Sequence, residues 1–197
     1  IGQVSLRTVF DMSGTDLATL SGKADLDIDQ AELMGYNYEN TVANLIFDKN
    51  IINANLQLAD KNADAHIEAV ANLRNPIPEF STKTLIKHLN TSALGLYKWD
   101  YTFGAAINAD IKGNNLDDMS GTVQVADAHF TKNDTTLHLK LLDLAFDQSV
   151  GHHKTLELKS DVADLTITGN FQPTQVPSGI MRFVNRYYHA FPDTVPM

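Results

Sequence analysis

The chain repeats its own pattern after about a hundred residues, and this repeat constrains the fold more than any other feature of the sequence. The string that opens at Asp11 and closes at Gly22 returns between Asp110 and Gly121 with its glycines, its leucine and its Ser-Gly pair in matching places. Both Asp110 and Gly121 lie 99 residues after their counterparts. A repeat of this length is typical of chains built from copies of one supersecondary unit.

Further matches extend the repeat over most of the chain. At offsets of 98 to 100 residues they pair Leu45-Ile46-Phe47-Asp48 with Leu144-Ala145-Phe146-Asp147, Leu56-Gln57-Leu58 with Leu156-Glu157-Leu158, and Asp64, Ile67 and Asn72 with Asp164, Ile167 and Asn170. The boundary between the copies falls near Gly95. We therefore expect two β-repeat units, residues 1–95 and residues 96–197, each with a closing helix.

Apolar and polar residues alternate within each unit, which is the period of a β-strand. The clearest run in the second unit is Phe103, Ala105, Ile107, Ala109 and Ile111, and its first-unit counterpart contains Val4, Leu6, Phe10 and Met12. The alternation changes phase at Leu142, where a β-bulge would account for the break. Strands with one apolar and one polar face predict an antiparallel sheet that is solvated on one side.

A helical period closes each unit. Helices are predicted near residues 81–93, after Pro76 and Pro78, and near residues 178–191, which carry an i, i+3, i+4, i+7 apolar stripe. Each helix either packs on the apolar face of its own sheet or shields an apolar groove, and the pattern leaves both alternatives open. The expected fold class is mainly β (α+β), with antiparallel sheet repeats and one amphipathic helix per repeat.

Glycines mark the ends of several predicted strands. We expect Gly14, Gly22, Gly113 and Gly121 to lie at strand ends or turns, where a positive φ or close packing excludes a Cβ atom.

Composition excludes several functions. The chain has 15 Lys and Arg residues against 24 Asp and Glu, a net charge of −9, which argues against nucleic acid as a partner. It has no cysteine, so thiolate chemistry is excluded. Its apolar runs are far shorter than the ~20 residues of a membrane-spanning helix. The chain begins at Ile1 without a signal peptide before its first strand, so we expect a piece of a longer or processed protein.

The residue pattern also lacks a convincing catalytic or metal site. His152 and His153 are adjacent, so in a strand they would point in opposite directions. The row Asp25, Asp27 and Asp29 is typical of a solvated strand face. No nucleophile elbow, phosphate-binding glycine loop or metalloprotease helix signature occurs in the sequence. We therefore expect no enzymatic activity, no metal site and no cofactor.

One repeated string resembles a known family. The segments Asp110-Ile111-Lys112-Gly113-Asn114-Asn115-Leu116-Asp117-Asp118-Met119-Ser120-Gly121-Thr122-Val123 and Leu165-Thr166-Ile167-Thr168-Gly169-Asn170-Phe171 are similar to repeats of the AsmA-like/TamB (translocation and assembly module) family of the cell envelope. The resemblance implies a curved, trough or taco-like sheet with an apolar inner surface. It also implies a periplasmic segment of a Gram-negative protein that is anchored in the inner membrane.

The function implied by the resemblance is non-enzymatic lipid transport between membranes and outer-membrane biogenesis. The implied partners are a phospholipid or other acyl-chain lipid and an outer-membrane β-barrel assembly partner. Combined with the alternation, it predicts a continuous apolar surface, part of which contacts lipid. The candidate residues are Phe103, Ile107, Ile111, Val123, Val125, Leu139, Phe146, Leu156, Leu158, Leu165 and Ile167.

Two other functions remain open at this point. The units could form a structural spacer or interaction module whose core is sealed by the helices. They could also form a soluble lipid or lipoprotein carrier, which the repeat disfavours because carriers usually have a single copy. In an isolated fragment, exposed strand edges would favour self-association or tight closure by the helices.

Overall fold

The computed structural model describes residues 4–33, 35–96, 100–148 and 153–176. These residues form one open, curved sheet of eleven strands, in which each strand pairs antiparallel with the next along the chain. The strands are β1 (Val4–Ser13), β2 (Ser21–Leu33), β3 (Tyr36–Asp48), β4 (Ile51–Asp60), β5 (Ala63–Asn72), β6 (Glu79–Asn90), β7 (Thr102–Lys112), β8 (Ser120–Lys132), β9 (Thr135–Gln148), β10 (Lys154–Ser160) and β11 (Asp164–Gly169). Ten steps of ~4.8 Å between strands make the sheet about 48 Å wide. The mainly β, antiparallel part of the sequence prediction is confirmed.

Tight turns join several neighbouring strands. Lys49 and Asn50 link β3 to β4 with φ angles of 45° and 69°, as a two-residue hairpin turn with two left-handed residues requires. Asn133, with a φ of 52°, begins the equally short turn between β8 and β9. Such short connections allow a strand to pair only with the next strand along the chain.

The helix predicted near residues 81–93 is wrong, because residues 79–90 form strand β6. Leu85, Ile86 and Leu89 suggested a helical stripe. In the structure, the register between β6 and β7 shifts between Ile86 and Leu89. An irregularity in the strand thus produces a spacing of three residues that imitates a helical period. Thr82 and Thr84 also favour a strand, because β-branched residues fit an extended backbone.

The second predicted helix, near residues 178–191, lies outside the described residues. The helical residues of the described ranges are two short 3₁₀ turns, Leu116–Asp118 and Pro173–Gln175, and the single residue Val176, which has α-helical backbone angles. The expectation of one amphipathic helix per repeat is therefore not confirmed.

The repeat is visible in the strand positions. Strands β7, β8 and β9 begin 98, 99 and 99 residues after β1, β2 and β3, respectively. β6 pairs with β7, so the sheet continues past the boundary predicted near Gly95. The division into units at residues 1–95 and 96–197 remains a prediction.

Two glycines show the repeat at atomic detail. Gly22 and Gly121 have φ angles of 137° and 139°. A Cβ at Gly22 would lie 2.1 Å from the Asp11 carbonyl oxygen, and one at Gly121 would lie 2.0 Å from the Asp110 carbonyl oxygen. The glycine prediction is confirmed. Both positions require glycine because φ is positive and because a Cβ atom would collide with the neighbouring strand.

The phase break expected at Leu142 has a structural origin in the neighbouring strand. Asp127 of β8 has a φ of 51° and lies where the register between β7 and β8 shifts. In β9, Leu139 pairs with Ala128 and Leu142 with Val125, one on each side of this irregularity. The bulge therefore lies in β8, beside the predicted position.

Burial in this sheet is unusual, since seven of the nine buried apolar residues are alanine. The other two are Leu94, in the turn after β6, and Leu156 of β10. Most globular domains bury an apolar sheet face against a second layer. Among the described residues no second layer is present, so the larger side chains of the sheet stay partly exposed.

Candidate functional site

The cross-strand register aligns apolar side chains in three rows that run across the sheet, and we call the surface they form the apolar face. The first row is Met12, Gly22, Phe47, Ile52, Ala71, Phe80, Ile111, Gly121, Phe146, Leu156 and Ile167. The second is Phe10, Ala24, Leu45, Ala54, Ala69, Thr82, Ala109, Val123, Leu144, Leu158 and Leu165. The third is Thr8, Leu26, Ala43, Leu56, Ile67, Thr84, Ile107, Val125, Leu142 and Ser160. Direct cross-strand neighbours are close enough for their side chains to touch, so each row is continuous.

No residue in these three rows carries a charge. The only hydroxyl-bearing members are Thr8, Thr82, Thr84 and Ser160. Thr82 and Thr84, in the middle of the sheet, lie with their Oγ1 atoms 3.0 Å apart, so the two hydroxyls hydrogen-bond to each other. The central part of the apolar face therefore satisfies these polar groups internally and presents a largely hydrocarbon surface.

The opposite face is polar and acidic, and we call it the polar face. One of its rows is Val9, Asp25, Asn44, Asn55, Glu68, Lys83, Asn108, Gln124, Asp143, Lys159 and Asp164. Its side chains hydrogen-bond across strands: the Asn44 amide donates to Asp25 at 2.8 Å, and the Gln124 amide donates to Asp143 at 2.9 Å. The acidic row of β2 belongs to this face, where Arg7 lies 3.4 Å from both Asp27 and Asp29.

The eleven candidate residues of the sequence analysis lie on five adjacent strands, β7 to β11. Nine of them belong to the three rows: Ile107, Ile111, Val123, Val125, Phe146, Leu156, Leu158, Leu165 and Ile167. Phe103 and Leu139 lie at the other end of the strands. The Phe103 ring packs on the Phe130 ring at 4.8 Å between centroids, and Leu139 pairs with Ala128. Whether these residues contact lipid stays a prediction.

The apolar face is partly open to solvent across its width. Phe10 is 60% exposed at one edge of the sheet, Phe80 is 43% exposed in the middle, and Leu165 is 37% exposed at the other edge. A shallow cavity of about 200 Å³ lies on this face between β4 and β7, with Ile52, Phe80 and Ile111 among its lining residues. An exposed apolar surface this continuous is typical of a binding surface.

The candidate residues predicted from the sequence do not include the first-unit half of this surface. The rows place Phe47 and Ile52, among others, on the same face as the second-unit candidates. The 99-residue offset was the signal that could have found them, because it maps Phe47 onto Phe146. Phe80 and Thr82 are also absent from the candidate residues, because the sequence predicts a helix in place of β6.

A buried carboxylate lies where β4 turns into β5. Asp60 is 4% exposed and accepts hydrogen bonds from the Tyr36 hydroxyl at 2.6 Å, the Asn62 backbone N–H at 2.7 Å and the Glu39 backbone N–H at 3.1 Å. Burial acts to raise the pKa of Asp60, but these hydrogen bonds to the ionised form outweigh it and hold that pKa below its usual value. Burial and the neighbouring carboxylate raise the pKa of Tyr36. The cluster holds the start of β3 against the β4–β5 turn.

Two further groups of titratable side chains among the described residues contain histidine. His129 and His138 are cross-strand neighbours with ring centroids 6.2 Å apart, and His66 lies 3.5 Å from Glu68. Across the described ranges, no group of three or more His, Cys, Asp or Glu side chains is arranged to hold a metal ion. His152 lies outside the described residues, so the His152–His153 pair is not described.

Among the described residues, no helix has the length and apolar character needed to cross a membrane. Comparisons of the chain with protein-family models, curated proteins and solved structures found no match.

Proposed function

We propose that this chain is a non-enzymatic lipid-conducting segment of a periplasmic envelope protein of the AsmA-like/TamB type. In this proposal the sheet forms a trough, and its apolar face carries the acyl chains of phospholipid between the inner and outer membranes in support of outer-membrane biogenesis. The observation that carries the proposal is the uncharged apolar face, which continues through all eleven strands.

The energetics of such a surface favour acyl chains. Transfer of one methylene group out of water contributes ~0.8 kcal/mol. A chain of about sixteen carbons would gain roughly 10 kcal/mol before the cost of ordering it. Because cross-strand neighbours are ~4.8 Å apart, a chain that slides across the strands meets a new uncharged residue at each step, and at most steps this residue has an apolar side chain. Transport of this kind needs no catalytic residue.

The spacer alternative requires that the apolar face be sealed by the protein's own helices. Two helices were predicted to seal it. The segment of the first, near residues 81–93, forms strand β6 instead, and Phe80 of this strand extends the apolar face. The single-copy carrier alternative is disfavoured by the repeated strand positions and glycine environments.

The experiment that tests the proposal is site-specific photo-crosslinking in the full-length protein in living cells. A photoreactive residue is placed at Ile107, Leu139 or Leu165, and in matched controls at the adjacent Asn108, His138 or Thr166, whose side chains lie on the polar face. We expect phospholipid adducts at the first three sites only. The absence of adducts there, or equal adducts at all six sites, would refute the proposal and favour the spacer.

A further inference from the structure

The outer edge of β1 has no partner strand among the described residues. Among the described residues, β1 pairs with β2 alone, and all ten of its residues are exposed. Its sequence contains neither proline nor glycine. Its only basic side chain, Arg7, reaches back to Asp27 and Asp29 of β2. Of the features that usually protect an edge strand from pairing, β1 therefore lacks proline, short length and an unpaired basic side chain, although its register with β2 shifts near Ser5.

The same edge occurs a second time inside the molecule, where it is occupied. β7 repeats β1 at an offset of 99 residues: Met12 pairs with Gly22 as Ile111 pairs with Gly121, and the register shifts near the outer end of both pairs. The other edge of β7 pairs antiparallel with β6 over ten residue pairs. Strand β6 therefore shows what kind of strand pairs with an edge of this sequence pattern.

The β6–β7 register predicts how a strand would lie on β1. Subtracting 99 from the β7 positions places a Phe80-like residue opposite Met12 and a Thr82-like residue opposite Phe10, both on the apolar face. It places a Lys83-like residue opposite Val9 on the polar face, since Lys83 pairs with Asn108. That position is diagonal to the carboxylate of Asp11, within reach of a lysine.

We propose that the edge of β1 binds an extended antiparallel polypeptide strand of the β6 type, in the register that β6 adopts on β7. The partner carries apolar and hydroxyl residues on one face and a basic residue near the centre of the other. Its binding extends the apolar face of the sheet by one strand. The inference concerns the sheet edge and stands whether or not the apolar face conducts lipid.

The probe for the first experiment is a synthetic peptide with the sequence of residues 79–90. Because the chain has no cysteine, a Val9→Cys variant offers one thiol on the exposed edge, and Val9 is 69% exposed. Directly opposed residues in an antiparallel pair lie at a distance that a disulfide can bridge. The peptide is supplied with its cysteine at position 83, at position 82 on the other face, or at position 85, two residues out of register. In each peptide this cysteine is activated as the mixed disulfide with 5-thio-2-nitrobenzoate, so that attack by the Val9→Cys thiolate forms the new disulfide and releases thionitrobenzoate.

We expect the peptide with Cys at position 83 to form a disulfide with Val9→Cys at least tenfold faster than the other two peptides. A Thr122→Cys variant is the matched control, because Thr122 lies on the polar face of β8, which has neighbours on both edges. It should not react above background. Equal reaction with all three peptides, no reaction at all, or only a disulfide dimer of the Val9→Cys chain would overturn the proposal.

A second experiment tests the backbone pairing without a substitution in the protein. Successive N–H groups of a strand point to opposite edges. N-methylation of the peptide at positions 80, 82 and 84, or at positions 81, 83 and 85, therefore blocks one edge at a time. Strand addition predicts that one of these peptides loses binding and the other retains it. Loss of binding by both peptides, or by neither, would contradict it.

Discussion

Replacing Gly121 by alanine should destabilise the sheet more than the same change at Gly169, although the two residues have nearly the same backbone conformation. Their φ angles are 139° and 142°. Holding a residue with a side chain in such a region costs ~1–3 kcal/mol. The difference lies in the surroundings: a Cβ at Gly121 would lie 2.0 Å from the Asp110 carbonyl oxygen, whereas at Gly169 no atom of the described residues lies within 4 Å.

The atom in conflict at Gly121 belongs to the backbone of β7, which is paired on both sides and cannot move alone. Overpacking of this kind adds ~1–3 kcal/mol. We therefore expect a loss of ~1–3 kcal/mol for Gly169→Ala and of about 2–6 kcal/mol for Gly121→Ala. Gly121→Val should be at least as costly as Gly121→Ala.

The assay is urea unfolding followed by far-UV circular dichroism, with the free energy of unfolding obtained by linear extrapolation. Gly22→Ala provides an internal comparison, because its Cβ would meet the Asp11 carbonyl oxygen at 2.1 Å. That oxygen belongs to the edge strand β1, which can shift more easily, so we expect a cost between the other two. The reasoning is refuted if Gly121→Ala costs no more than Gly169→Ala.

Two further substitutions test local features of the fold. Since the pKa of Asp60 is lower in the folded protein than its ordinary value of 3.8, its ionised form stabilises the fold above that pH, and this contribution is lost as the pH falls through the folded pKa. Asp60→Asn should lower the free energy of unfolding by ~1–3 kcal/mol at neutral pH. It should also reduce the fall of that free energy in acid, as measured by urea unfolding at several pH values with Tyr36→Phe as the comparison. An unchanged dependence of stability on acid pH would contradict this. Asn50→Gly should raise the free energy of unfolding by ~0.5–1 kcal/mol, because glycine adopts the φ of 69° at this position without strain; a lower free energy of unfolding would argue against this description of the turn.

The sequence predicts the strands of this fold well because both the alternation and the turn residues act locally. Lys49 and Asn50 define a hairpin by themselves, and Gly121 is required by contacts with the adjacent strand. The prediction fails at β6, where the shift between Ile86 and Leu89 gives the apolar residues a helical spacing. A periodic pattern assumes a regular strand, so a register shift inside the strand misleads it.

The candidate surface was predicted only in part for a different reason. Alternation shows which side chains share a face, as it did for Ile107 and Ile111, but it does not show what covers that face. The continuity of the rows from Met12 to Ile167 depends on the register of ten successive strand pairs. The partial exposure of Phe80 depends on the absence of a second layer over the described residues. Neither property is encoded in a local pattern.

The most direct measurement of the central claim is the phospholipid content of the protein purified from bacterial envelopes without detergent. It is compared with a Val123→Asp variant, which introduces a charge on the apolar face, and with Thr122→Asp, which introduces the same charge at the adjacent position of the polar face. Lipid extraction and mass spectrometry should detect bound phospholipid in the wild-type protein and in Thr122→Asp, and much less in Val123→Asp. Wild-type protein free of lipid, or equal lipid in both variants, would contradict the claim that the apolar face binds acyl chains.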